Sequence, residues 1–242
     1  MQKTICFDFG NTRLKAAIFH ENEFIQEMIL PNAENQTIEQ IIDQYQPTKS
    51  ILSSVILHPP EMEALLSNRT KFHKLNHTSK LPISTPVGKP ETIGADRLAL
   101  VSASVHLYPN QHNLAIALGS CITYNFVNNQ HEFLGGSISP GMSMRFRSMN
   151  EFTALLPIVQ PEHDFPLVGY DTKTNLLSGV ILGMAKEIDG IIDAYSLKYS
   201  NFNVLLTGGD MPFFVPHLKN RIFADPNLIF KGLYAISEFN NR

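Results

Sequence analysis

Thr4-Ile5-Cys6-Phe7-Asp8-Phe9-Gly10-Asn11-Thr12-Arg13-Leu14-Lys15-Ala16-Ala17-Ile18-Phe19 is the stretch on which the fold turns. Two β-branched and aromatic runs, 4–9 and 14–19, flank a Gly-Asn-Thr turn signal, so a hairpin is expected. A third run follows at 24–30, after the polar Glu21-Asn22-Glu23, and completes an antiparallel meander. The pattern returns downstream. Residues 114–118 are apolar and meet Gly119-Ser120, residues 121–127 follow, and Asn128-Asn129 turns the chain into 131–134. Two copies of strand, glycine turn, strand, asparagine or acidic turn and strand point to an internal duplication.

Between the copies, a helix is expected over 37–45 with Thr37 as its cap. A buried strand is expected at 50–57, and a short helix opening at Pro59-Pro60. Pro82, Pro86 and Pro90 make 81–91 extended, and a helix is expected over 98–107. Beyond the second copy, apolar residues at helical spacing predict a long helix over 176–199. A strand at 203–206 ends in Thr207-Gly208-Gly209-Asp210, and a last helix covers 228–239. The chain has 242 residues, enough for one large domain or two small ones. The expected split is 1–110 and 111–242.

A 43% apolar and 17% charged composition is that of a globular protein. The net charge of −3 carries no basic excess, which argues against nucleic acid as the main partner. The N-terminus has no signal-peptide pattern, and no window approaches the roughly 18 apolar residues of a membrane span. Cys6 and Cys121 lie in apolar runs without C-x-x-C spacing, so buried free thiols in a cytoplasmic protein are expected rather than zinc or a disulfide. The histidines are isolated, with no metal-binding spacing, and no G-x-S-x-G nucleophile elbow occurs.

Several short motifs carry chemistry. Around the first turn, Gly10 lets a phosphate approach the backbone, Asn11 and Thr12 offer hydrogen bonds, and Lys15 offers positive charge. Asp8 is suited to Mg²⁺, directly or through water. The same residues also suit an ordinary hairpin turn. Gly119 and Ser120 occupy the equivalent turn of the second copy, and two such turns would grip a polyphosphate from both sides. Thr207, Gly208 and Gly209 suit a nucleoside packed on glycine backbone, or a plain strand-to-helix turn. In Gly94-x-Asp96-Arg97 a carboxylate beside a guanidinium suits a general base next to an anion clamp, or else a helix cap with a surface arginine. Gly135-Gly136-x-Ile138-x-Pro140-Gly141 implies close approach of a substrate or of a second backbone.

Taken in order, Asp8-x-Gly10-Asn11-Thr12-x-x-Lys15, Gly94-x-Asp96-Arg97, Gly119-Ser120, Gly135-Gly136-x-Ile138-x-Pro140-Gly141 and Thr207-Gly208-Gly209 resemble the type III pantothenate kinase family over almost the whole chain. The resemblance implies an α/β fold of two ribonuclease-H-like lobes, of the actin and acetate and sugar kinase type. Mixed five-stranded sheets and an inter-lobe cleft go with that fold. It implies a homodimer that uses ATP and Mg²⁺ to phosphorylate pantothenate, the first step towards coenzyme A. Asp96 matches the family's general base, Gly94 and Arg97 its pantothenate site, and Thr172 the threonine supplied across the dimer. Asp8, Gly10, Asn11, Thr12, Lys15, Gly119, Ser120, Thr207, Gly208 and Gly209 match its ATP and phosphate contacts. A monovalent cation, potassium or ammonium, is typical of the family. Three positions depart from the pattern. Ala117 stands two residues before Gly119 where an aspartate tied to the cation is usual, Asn125 stands where an aspartate is common, and Val87 stands in place of a pocket tyrosine. A non-catalytic nucleotide-binding regulator on the same fold is the alternative these departures motivate.

Overall fold

The computed structural model describes residues 2–240. The chain divides into two compact units. One holds the chain up to Asn110, Val127–Leu134 and the C-terminal stretch from Asn227, and the other holds Gln111–Phe126 and Gly135–Pro226. The expected split at 110/111 is therefore amended at two places. Residues 127–134 and the last helix join the first unit because their apolar side chains, Val127, Phe133, Phe230, Leu233 and Ile236, are buried in its core.

In the first unit, β1 (Lys3–Phe9), β2 (Leu14–His20) and β3 (Glu23–Leu30) form the expected meander. β4 (Lys49–Ser54) and β5 (Lys71–Lys74) extend it in parallel, giving a mixed sheet of order β3-β2-β1-β4-β5. Strand alternation gives the sheet two apolar faces. Ile5, Phe7, Phe9, Ile18 and Leu52 bury against α1 (Asn35–Tyr45) and α2 (Pro60–Arg69). Cys6, Ala17, Phe19 and Ile51 bury against α3 (Ala95–Leu107) and the last helix, which spans Leu228–Asn240. That last helix lies close against α3. A Cβ added to Gly232 would fall 1.9 Å from the Ala99 carbonyl oxygen, so only glycine fits there. Helix α1 begins at Asn35, two residues before its expected start, and Thr37 is not its cap. Asn32 holds the entry from outside instead: its Oδ1 accepts from the Glu34 N–H at 3.1 Å and from the Thr37 hydroxyl at 2.7 Å. The proline-bearing stretch is non-helical up to Lys89, with bends at 82–83 and 87–88 and Ser84 bridging Glu132. It closes in a 3-10 turn at Pro90–Thr92, a place where proline suits the first turn.

The second unit repeats the plan. β6 (His112–Leu118), β7 (Cys121–Val127) and β8 (Phe133–Pro140) are followed by β9 (Phe202–Thr207) and β10 (Phe223–Ala224). The sheet order β8-β7-β6-β9-β10 is that of the first sheet. α4 (Met142–Glu151) follows β8, and the expected long helix is present in three parts. α5 (Thr172–Leu177) opens at an Asp171 capping box, Ser178–Leu182 form a π turn, and α6 (Gly183–Lys198) continues. The start moves to Thr172 because Asp171 and Thr174 satisfy each other's backbone N–H groups. α7 (Met211–Phe214) follows β9, and the last helix is α8 (Leu228–Asn240). Ile116, Leu118, Ile122, Tyr124 and Phe126 pack on Val180, Ile181, Met184 and Ile188.

Candidate functional site

β1 and β2 pair in register, with Asp8 opposite Lys15 and Phe9 opposite Leu14, so Gly10, Asn11, Thr12 and Arg13 close the loop. The Gly10 N–H donates to the Arg13 carbonyl at 3.1 Å. Asn11, Thr12 and Arg13 are exposed. A Cβ on Gly10 would meet only an ordinary contact with Arg13 O, at 3.5 Å, so packing does not demand this glycine. The loop borders a cavity of about 320 Å³ that Leu14, Ile29, Leu30, Pro31 and Ile56 also line.

Alternation places Asp8 and Lys15 on the sheet face that α3 and α8 cover, because Cys6 and Ala17 lie on that face. The same face carries Glu27 on β3, which pairs with Ala17. Lys15 Nζ lies 2.6 Å from Glu27 Oε1. Asp96 sits in the first turn of α3, and Gly94 is the cap residue. The Asp96 carboxylate folds back over that cap: a Cβ on Gly94 would fall 2.4 Å from Asp96 Oδ1. Glycine at position 94 is thus what leaves room for the carboxylate.

Electrostatics tie these groups together. Burial, then the neighbouring Asp96, push the Asp8 carboxyl up to about 7; Lys15 pulls it down and Glu27 adds to the rise. Burial also raises Asp96 above the usual carboxylate range, against the Arg97 N–H, the Arg97 charge and the Asp96 N–H. A buried carboxylate with a raised pKa is a better proton acceptor than an exposed one. Arg97 Cζ stands 5.5 Å from the centre of the buried Phe133 ring, within range for the guanidinium and the ring face to attract. Ser53, the register partner of Asp8 on parallel β4, is buried with its hydroxyl unpartnered. Val87 is half-buried in a bend of the stretch leading to Pro90–Thr92.

In the second unit, Gly119 and Ser120 turn β6 into β7, and the Gly119 N–H donates to Cys121 O at 3.0 Å. Here the glycines are packing elements. A Cβ on Gly141 would lie 2.0 Å from Gly119 O, and one on Gly208, at φ +100, would lie 2.2 Å from Leu118 O. Gly136 approaches Tyr124 O in the same way, at 1.9 Å from an added Cβ. The glycine-rich segment 135–141 therefore meets a second backbone, one of the two alternatives its composition left open. The side chain of Thr207 is buried in the sheet opposite Ala117. Gly209 is exposed, with nothing within 4 Å of an added Cβ. Thr172 is the exposed first residue of α5, while the capping role falls to the buried Thr174.

A profile of type III pantothenate kinases matches residues 4–194. The chain belongs to the type III pantothenate kinase family. A type III pantothenate kinase of Christiangramia forsetii is 37% identical over 238 residues, which covers 98% of each chain. Among solved structures, a Baf family protein from Campylobacter jejuni aligns at a TM-score of 0.58 with 21% identity, over 98% of both chains. A glucokinase from an Antarctic psychrotroph aligns at 0.53 with 10% identity, over 99% of both. At these identities the structures establish the fold alone, an α/β fold of the actin and sugar-kinase type.

In this family member the first unit brings together Asp8, Gly10, Asn11, Thr12, Lys15, Gly94, Asp96 and Arg97, and the second unit Gly119, Ser120, Thr207, Gly208 and Gly209. Glu27 and Ser53 escaped the sequence reading. Alternation along β3 would have put Glu27 on a face, but a register shift at Ile18/Phe19 sets it opposite Ala17, on the face that carries Lys15. Cys6 and Cys121 are unpaired thiols, Cys6 buried as expected and Cys121 only half-buried, because it stands at the mouth of the turn. Among the described residues, no helix is long and apolar enough to cross a membrane.

Proposed function

We propose that this chain transfers the terminal phosphoryl group of ATP to the hydroxyl of pantothenate, the first step of coenzyme A biosynthesis, with Asp96 as the general base. The observation that carries this reading is the Asp96 carboxyl folded over Gly94 beside Arg97, raised in pKa and electrostatically coupled to Asp8. Phosphoryl transfer requires positioning and charge neutralisation more than covalent help. Asp96 accepts the hydroxyl proton as the phosphoryl group moves, and Arg97 and Gly94 hold the acceptor. Val87 lines the same acceptor site, where it offers an apolar surface and no hydroxyl. Asn11, Thr12, the Gly10 backbone and Lys15 take the phosphates from the first turn. In the second unit Gly119 and Ser120 are assigned to phosphate and Gly209 to the nucleoside.

The first turn fits a divalent cation. Asp8 faces Lys15 across the β1–β2 pair with Asp96 and Glu27 near it, and its carboxyl is raised first by burial and then by Asp96, so a bound cation would favour its charged form. Among the described residues no cluster of three His, Cys, Asp or Glu could enclose a metal. Mg²⁺ is held by one or two carboxylates together with phosphate and water oxygens. Asp8 would hold it, and its charge would offset that building on the phosphates. The side chains at these positions bring a monovalent cation no anionic oxygen: Ala117 has none, and Asn125 is a neutral amide whose N–H groups donate to Ala115 O and Thr123 Oγ1.

Phe152, Leu155, Leu167, Val168 and Tyr170 are all about four-fifths or more exposed, on the chain between α4 and α5. We place them in a homodimer interface that brings Thr172 to the partner's pantothenate site. Two unpaired thiols suit a cytoplasmic protein.

The test is ADP release from Mg·ATP with and without pantothenate, for the wild type and Asp96→Asn. Pantothenate-dependent release is expected, with a loss of about 10²–10⁴-fold in the variant. Full activity in a folded Asp96→Asn would end the base assignment. Nucleotide binding without turnover in the wild type would favour the non-catalytic regulator, the reading that Ala117 and Val87 motivate.

A further inference from the structure

Arg145 on α4 and Glu187 on α6 lie outside every motif named above, yet they converge on the corner that supports the second phosphate turn. The Arg145 guanidinium is half-buried and reaches in several directions at once. Its Nε donates to the Pro140 carbonyl at 2.8 Å, its Nη2 to Ser139 Oγ at 2.9 Å, and the same nitrogen pairs with Glu187. Glu187 is held in turn by the Tyr124 hydroxyl, which donates to its other oxygen at 3.1 Å. Burial and the Glu187 carboxylate hold the Tyr124 phenol far above its ordinary pKa, so it stays a donor. The guanidinium thus fixes Ser139 and Pro140 against α6. The next residue, Gly141, is the one whose backbone abuts the turn: its N–H donates to Ser120 O at 3.1 Å, and its Cα leaves no room for a methyl against Gly119 O.

We infer that Arg145, oriented by Glu187 and Tyr124, is a positioning residue for the nucleotide phosphates: it holds the Pro140-Gly141 corner that sets the Gly119-Ser120 turn. The inference rests on the proposed kinase reading only in taking that turn as a phosphate contact. A surface ion pair would contribute little. This one is half-buried, is shared with a phenol, and makes two further hydrogen bonds to a single corner, so its loss displaces that corner instead of merely freeing a side chain. The planar fork of arginine makes these contacts together, and a lysine ammonium reaches only some of them.

The experiment compares wild type, Arg145→Met, Arg145→Lys and Glu187→Gln in steady-state kinetics and in direct titration with Mg·ATP. For Arg145→Met, the KM for ATP and the Kd for Mg·ATP are expected to rise about tenfold or more, with the KM for pantothenate within about twofold of wild type. Arg145→Lys and Glu187→Gln should fall between the two. A folded Arg145→Met that binds Mg·ATP as wild type does, or one that loses ATP and pantothenate affinity equally, overturns the inference. If Arg145→Met does not fold, the same split is required of Glu187→Gln, and its absence there is equally decisive. If the wild type binds Mg·ATP but does not phosphorylate pantothenate, the kinase reading fails, while the titration still decides the role of Arg145.

Discussion

The two glycine hairpins stand at the same place in two sheets of the same strand order, yet they are built from different materials. In both first strands the residue two before the glycine, Asp8 or Ala117, is half-buried between buried neighbours. In both, a parallel strand sets a buried hydroxyl residue beside it, Ser53 or Thr207. The first hairpin then spends its polarity on charge, with Asp8, Lys15 and Glu27 on one face. The second has no charge at the corresponding rung and relies on tight backbone contacts, with Gly141 and Gly208 pressed against residues 118–119. A duplicated framework thus keeps its geometry while its chemistry diverges. One turn is a charged site whose packing is loose, and the other is a rigid neutral one.

The largest effect should come from removing the charge that distinguishes the first turn. Asp8→Asn is expected to lower kcat/KM by about 10²-fold or more, measured with Mg·ATP near neutral pH. The same variant tests the electrostatics without any ligand. Asp8 holds its proton more tightly in the folded chain than in the unfolded one, so as pH climbs from 3.8 towards about 7 the unfolded chain ionises there while the folded chain still keeps the proton. Unliganded stability should therefore fall across that window, and denaturant titrations of Asp8→Asn should show a flatter profile.

A second, opposed pair of variants addresses packing. Gly208→Ala forces a Cβ to 2.2 Å from Leu118 O at a positive φ, and should cost about 1–3 kcal/mol or more by denaturant unfolding. Gly10→Ala should change stability by no more than about 0.5 kcal/mol. If Gly10→Ala proves as destabilising as Gly208→Ala, the contrast between a loose and a rigid turn is wrong. The smallest effect concerns Ala117. Replacing sodium by potassium in the assay should change the rate by less than about twofold, since Ala117 brings no anionic oxygen to that rung. A strong potassium requirement would show that other groups supply the cation's ligands.

Much of the framework was legible in the sequence, for identifiable reasons. The runs around Gly10 and Gly119 are near-continuous apolar, β-branched and aromatic segments that stop at turn residues, so both meanders could be read locally, as could the proline-opened helix at Pro60. The proposed site was legible where a motif is continuous, as in Gly94-x-Asp96-Arg97. It was not legible where a partner comes from a distant element. Glu27 reaches Lys15 only through the register of β2 on β3, and Glu187 reaches Arg145 only because α6 packs beside α4's start. Helix starts also misled. Thr37 resembles a cap, but Asn32, five residues earlier, takes its hydroxyl.

The sequence by itself determined the duplication, the two turns and the order of the motifs, because hydrophobic period and turn chemistry act over a few neighbouring residues. Only the tertiary structure decided which glycines are filled by a second backbone, as at Gly136, Gly141 and Gly208, and which are left open, as at Gly10 and Gly209. It also decided that Asp8, Lys15, Glu27 and Asp96 share one electrostatic environment. Both outcomes depend on distances between segments far apart in the chain. Such distances are set by the packing of whole strands and helices, and no local pattern encodes them.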